Sequence, residues 1–155
     1  MFLRRALLGS ATLLGALALL PGLTPSVRGA ELSLVTQDEA KLPPAKGAVP
    51  TERRGITRGP KVVFVDKPEP AHSPMHFQVT FESFGGAKID PDSVKVTYLK
   101  TPNVDLTPRV KPFVQTAGID IPDATLPAGD HLMRVDVKDS DGRAGTSIFV
   151  LKVAP

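Results

Sequence analysis

The stretch from Leu126 to Val153 leaves little freedom of fold. Two runs rich in branched residues, Leu132 to Lys138 and Thr146 to Val153, flank Asp139-Ser-Asp-Gly-Arg-Ala-Gly145. Asp, Ser and Gly favour tight reversal because they bond their own backbone or accept left-handed conformations, so the segment predicts a β-hairpin. Met133, Val135 and Val137 alternate with Arg134, Asp136 and Lys138, which places an apolar face opposite a wet one. In the return strand Ile148 and Val150 point one way and Phe149, Leu151 and Val153 the other, so that strand is expected to be covered on both sides for part of its length.

The same period of two recurs upstream. Met75, Phe77, Val79 and Phe81 alternate with His76, Gln78, Thr80 and Glu82, and Val94, Val96 and Tyr98 alternate with Lys95 and Thr97. Val62 to Val65 is a short apolar run suited to a first strand, and Ile119 to Leu126 a weaker one interrupted by Pro122. Between these runs Ile89-Asp-Pro-Asp-Ser93 predicts a turn, with Asp90 able to cap and Pro91 suited to a first helical position. Pro102, Pro108 and Pro112 exclude a central strand, because proline cannot donate to a ladder. Short edge strands fit at Val104–Leu106 and Val110–Val114, and the Pro-rich Thr101–Pro112 segment is expected to cover a sheet edge. No long 3.6-residue apolar period occurs. About seven short strands from Lys61 onward predict an all-β fold, an antiparallel β-sandwich over residues 61–155.

Ahead of this domain, residues 1–29 read as a signal peptide. Arg4 and Arg5 precede an uncharged, largely apolar run from Ala6 to Leu20, broken by Pro21, Gly22 and Pro25. The run is short of the roughly 20 apolar residues a spanning helix needs. Cleavage between Gly29 and Ala30 fits the small-residue requirement, and Arg4-Arg5 followed by Ala6-Leu-Leu resembles a twin-arginine signal. Residues 30–60 contain Pro43, Pro44, Pro50 and Pro60 and a basic cluster of Arg53, Arg54 and Arg58, and read as a flexible, disordered linker with a short strand possible at Leu32–Val35. The expected location is periplasmic or secreted, by the general or the twin-arginine route, with membrane contact only through the signal or the basic linker.

The full chain has 19 basic and 16 acidic residues; without Arg4, Arg5 and Arg28 the balance is 16 against 16. No basic excess is left to neutralise a phosphate backbone, which argues against a nucleic-acid partner. The absence of cysteine excludes thiol catalysis, lipid attachment through cysteine and Cys-type metal sites.

From Lys61 to Val153 the pattern resembles a bacterial immunoglobulin-like domain. The residues that carry the resemblance are Val79-Thr-Phe-Glu82, Ile89-Asp-Pro-Asp-Ser-Val-Lys-Val96, Leu126-Pro-Ala-Gly-Asp-His131 and Asp141-Gly-Arg-Ala-Gly145. The resemblance implies a seven-stranded fold and no particular activity. A narrower similarity is to periplasmic copper-resistance proteins of the CopC type, exported cysteine-free sandwiches with an Asp-Gly-His copper element in the penultimate hairpin. Here that element reads Asp141-Gly-Arg143, and the mature chain would begin at Ala30 rather than at a histidine.

Two clusters are candidate sites. His72, Met75 and His76 fall in one place and His131 and Met133 in another, at loops that immunoglobulin order brings to one end; imidazole and thioether together suit copper, particularly Cu(I). Against this, Met75 and Met133 have the parity of core residues. Asp139 and Asp141 are either a fragment of a cation loop or a tight turn bonded to its own backbone. No Gly-x-Ser-x-Gly, phosphate-binding glycine loop or His-Glu-x-x-His is present, so no catalytic residues are assigned. The expectation is a non-catalytic binding or accessory module with an unidentified protein partner and no cofactor; the alternative is a periplasmic copper-handling protein using His72, His76 and His131.

Overall fold

The computed structural model describes residues 31–47, 58–65 and 70–155; the leader expected at 1–29 and the linker residues 48–57 lie outside them. The described chain forms β1 (Leu32–Ser33), α1 (Gln37–Ala40), β2 (Lys61–Phe64), β3 (Met75–Glu82), β4 (Ile89–Tyr98), β5 (Val104–Asp105), α2 (Thr107–Val110), a 3-10 turn (Lys111–Phe113), β6 (Val114–Gln115), β7 (Gly118–Thr125), β8 (Gly129–Asp139) and β9 (Ala144–Val153). One sheet runs β1-β7-β3-β2, with β6 also on β7; the other runs β5-β4-β8-β9. The protein is therefore all-β with two facing sheets.

Alternation decides which residues lie between the sheets. Phe77, Val79, Ile119 and Ile121 from the first sheet meet Val96, Tyr98, Met133 and Val135 from the second, each no more than 1% exposed. Burying a side chain of this size contributes about 1.5–3 kcal/mol. The β8–β9 hairpin pairs without interruption from Gly129↔Val153 to Lys138↔Ala144, as the sequence predicts. One part of that expectation does not hold. On the outer side of β9 Ile148 is half-buried, but Val150 is 41% exposed.

Two prolines sit inside strands, and each marks a break in the ladder. On β7, Phe77 pairs with Ile121 and Met75 with Ala124, so Pro122 and Asp123 together oppose His76 alone. A bulge leaves one residue unpaired, which suits a residue with no N–H to give. On β4, Asp90 pairs with Lys138 and the next pair is Lys95 with Asp136. The turn expected at Ile89–Ser93 is thus an excursion within a strand. Its Asp90 carboxylate accepts from the Asp92 N–H at 3.0 Å. The Ser93 hydroxyl accepts from the Lys138 N–H at 2.8 Å and replaces the missing ladder partner.

The largest correction concerns the linker. Residues 31–47 are packed into the fold. β1 pairs in parallel with the end of β7 through Leu32↔Ala124 and Ser33↔Thr125, and Leu34 and Val35 are 0% and 2% exposed in the core. Thr36 then opens α1 with a reciprocal cap: its hydroxyl accepts from the Glu39 N–H while the Glu39 carboxylate accepts from the Thr36 N–H at 2.9 Å. Beyond α1 the chain reaches the other sheet, where the Thr101 N–H donates to the Pro43 carbonyl at 2.9 Å and Lys100 Nζ donates to the Ala40 carbonyl at 3.0 Å. This strap joins both sheets because two adjacent apolar residues enter the core at its turning point.

The Thr101–Pro112 segment also differs from its expectation in part. β5 is a two-residue edge strand on β4, as predicted for Val104, but Thr107–Val110 is a helical turn that buries Leu106 and Val110 completely. At the opposite edge β2 lies against β9. Phe64 stacks on Phe149 with centroids 4.4 Å apart and planes 9° from parallel. The Ala71 N–H donates to the Lys152 carbonyl at 2.9 Å and its carbonyl accepts from the Ala154 N–H at 2.8 Å. That seam shields the β9 edge at its C-terminal end.

Candidate binding face

The residues expected to hold copper are distributed over different surroundings. Met75 and Met133 are core residues, 7% and 0% exposed. His131 is 1% exposed and uses both ring nitrogens: Nε2 lies 2.8 Å from the Pro127 carbonyl oxygen and Nδ1 lies 3.1 Å from the Tyr98 hydroxyl. A carbonyl can only accept, so Nε2 carries the proton and Nδ1 accepts from Tyr98. No lone pair is left for a metal. Burial pushes the His131 pKa down, with the bond to Pro127 opposing and the charge of Lys100 reinforcing. His76 lies on the outer face of β3, where Nε2 meets the Asp120 carboxylate. His72 is exposed in the connection before β3. Consecutive residues of a strand point to opposite faces, so Met75 and His76 cannot converge. Among the described residues no group of three or more His, Cys, Asp or Glu side chains is arranged to hold a metal ion.

Asp139 and Asp141 form a turn with its own counter-ion. The Asp139 carboxylate accepts from the backbone N–H groups of Asp141 and Arg143 at 3.0 and 2.9 Å and from Arg143 Nε at 2.9 Å. Arg143 Nη2 reaches Asp141 at 2.6 Å. Desolvation opposes ionisation of Asp139, but the backbone and side-chain bonds from Arg143 outweigh it and hold its carboxyl below the usual range. The guanidinium occupies the place a cation would take. It also donates to the Phe84 carbonyl at 3.3 Å and so ties this turn to the β3–β4 loop.

What the alternation of β8 and β9 builds is a surface. Leu99, Leu132 and Val150 form one row across three strands. Tyr98 pairs with Met133 and Leu132 with Val150, while the Leu99 N–H donates to the Leu132 carbonyl at 2.9 Å. Because Tyr98 and Met133 point into the core, their neighbours Leu99 and Leu132 point outward. Leu99 and Leu132 are half-buried; Val150 and Phe84 are the two exposed large apolar side chains among the described residues. Ile148 adjoins the row in the next register, opposite Arg134. Arg134 donates to Asp136 at 2.8 and 3.0 Å, and Thr146 donates to the same carboxylate oxygen at 2.6 Å.

The strap gives this face relief. Its end at Lys46 rises beside Lys100 and Pro102, and together with Leu99, Leu132 and Ile148 they bound an open depression of about 500 Å³. The Lys100 ammonium turns away from this face: it donates to the Ala40 carbonyl and lies 5.3 Å from the centre of the inward Tyr98 ring, so it ties the strap down from behind. The face thus combines an apolar floor with the Arg134–Asp136 pair at its side. Sequence reasoning missed it because outward Leu and Val read as cover by a neighbouring element. The signal lay in the outward pair Ile148 and Val150. Comparison with family models, with curated proteins and with solved structures finds no match to this chain.

Proposed function

We propose that the protein is an exported, non-catalytic binding module of immunoglobulin-like type, which engages a protein partner through the outer face of the β5-β4-β8-β9 sheet. The observation that carries the reading is the apolar row Leu99–Leu132–Val150 standing outward beside the uninterrupted β8–β9 pairing. A contiguous apolar row left partly open at the surface of a folded domain is the kind of patch that marks a contact site. Support for the immunoglobulin-like type comes from the two facing sheets and from Pro- and Gly-marked turns between short strands. Support for export comes from Arg4-Arg5 before the apolar run Ala6–Leu20 and from the small residues at Gly29-Ala30.

The test is site-specific photo-crosslinking in intact cells. A crosslinker at Val150 is expected to give a discrete protein adduct, whereas one at Gln78 on the other sheet gives none. Equal labelling from both positions, or none from Val150, would overturn the assignment of the face.

A further inference from the structure

We infer that the partner on this face is a second copy of the same chain, packed about a two-fold axis that runs across the strands along the Leu99–Leu132–Val150 row. The inference rests on the proposed use of this face and adds the identity of its occupant. An isologous contact must present the same patch to itself, so opposite charges standing at equal distances on either side of the axis make a patch self-complementary. β8 meets that requirement. Asp130, Leu132 and Arg134 all point outward, and the two charges stand one repeat, about 7 Å, on either side of Leu132. A rotation about the row brings Asp130 of one copy over Arg134 of the other, twice.

The remaining positions agree with that pairing. The row beyond Leu132 on one side holds Asp130 and Lys152; the row on the other holds Thr97, Arg134 and Ile148. Rotation places Ile148 under the aliphatic stem of Lys152 and joins the two apolar rows at the axis. Arg134 already donates to Asp136 through Nε and Nη2. A guanidinium has five N–H donors, so it can serve a second carboxylate without giving up the first. Facing sheets pack about 10 Å apart and cross at about 30°, within reach of an Arg and an Asp from opposed strands. A face three strands wide is small for an interface, so association is expected to be weak, with a dissociation constant of about 10–100 μM.

The experiment is sedimentation velocity across a concentration series on the full chain and on three variants: Asp130→Arg, Arg134→Asp, and the two combined. The leader is common to all four, so differences report on this face. The wild type is expected to dimerise reversibly. Each single reversal places like charges together and is expected to weaken the dimer at least about tenfold, while the double exchange restores the pairing and returns the constant to within about threefold of wild type. A wild type that stays monomeric to about 500 μM, or a double variant as weak as the singles, overturns the two-fold dimer. The crosslinking experiment keeps the two readings apart. An adduct from Val150 to a protein of another mass leaves the binding face standing and removes the second copy as its occupant; an adduct of twice the chain's mass supports both.

Discussion

The guanidinium of Arg109 closes on both carboxylate oxygens of Glu39, at 2.6 and 2.8 Å, across 70 residues of sequence. The same guanidinium donates to the Leu34 carbonyl at 2.9 Å. One side chain therefore holds the strap by its backbone and by its short helix. Glu39 in turn accepts from the Thr36 N–H, so the pair and the helix cap share one carboxylate. The bond from Arg109 is the main reason the Glu39 pKa falls to about 2 from 4.5; partial burial opposes it and the Thr36 bonds add to it.

The sign of the pH dependence follows. The unfolded chain takes up a proton on Glu39 near pH 4.5, and the folded chain only near pH 2. The stabilisation is complete above pH 4.5, declines as pH falls toward 2, and is absent below it. Solvent reaches both partners, so the contribution is about 1–2 kcal/mol rather than the full value of the shift. Urea unfolding of the wild type and of Glu39→Gln is expected to differ by that amount at pH 7 and to converge near pH 2. A constant difference across the range would show that the carboxylate charge is not what holds the strap.

Tyr98 and His131 form the buried polar pair of the core. Burial raises the Tyr98 pKa, with the charge of Glu39 adding to it. Tyr98→Phe leaves the His131 Nδ1 without a donor and is expected to cost about 1–3 kcal/mol, although it changes little in shape. Because burial lowers the His131 pKa, the unfolded chain takes up this proton first. The neutral, buried state stabilises fully above about pH 6.5 and loses ground as pH falls below it. In an NMR titration of the folded chain the His131 ring is expected to stay neutral as pH falls through 6.5, the value of an unburied imidazole. Protonation of that ring at or above pH 6.5 would contradict the burial argument.

Strands were readable from sequence wherever one face is buried and the other wet, as in Met75–Glu82 and Leu132–Lys138, since that environment writes a period of two into the residues. The strap was not, because Leu34 and Val35 are adjacent and show no period. Its legible mark was Thr36-Gln-Asp-Glu39, the signature of a helix start, among prolines that suggested disorder. Arg109 offered no local sign of its role, since its partner lies 70 residues away. For the site, parity placed Met75 and Met133 in the core. Composition alone grouped them with His131, whose nitrogens are occupied by Tyr98 and Pro127. The binding face follows from the register of three strands, and register is not a property of any one of them.

The same occupancy predicts the response to copper. Cu(I) or Cu(II) added in slight excess is expected to leave the His131 ring resonances and the unfolding temperature unchanged, because binding there would have to break two buried hydrogen bonds. Broadening at His76 alone would report a surface encounter beside Asp120. A shift of His131 together with the Met133 methyl, accompanied by a rise in unfolding temperature, would revive a metal-handling role.

The seam between β2 and β9 can be probed through glycine. A Cβ on Gly145 would overlap the Pro60 carbonyl oxygen, and one on Gly59 would overlap that of Ala144. These atoms are backbone, so no side chain can swing aside to make room. Gly142, three residues earlier, takes φ +76° but has open space around it. Gly142→Ala is therefore expected to cost about 1 kcal/mol, for left-handed backbone alone. Gly145→Ala is expected to reach or exceed the upper end of the about 1–3 kcal/mol typical of overpacking, since the two sheets must part at this edge. Loss of the Phe64–Phe149 stack should accompany it, seen as a change in the ring-proton shifts of both residues. If Gly145→Ala proves no worse than Gly142→Ala, the closeness of Pro60 to Gly145 is not what joins the sheets on this side.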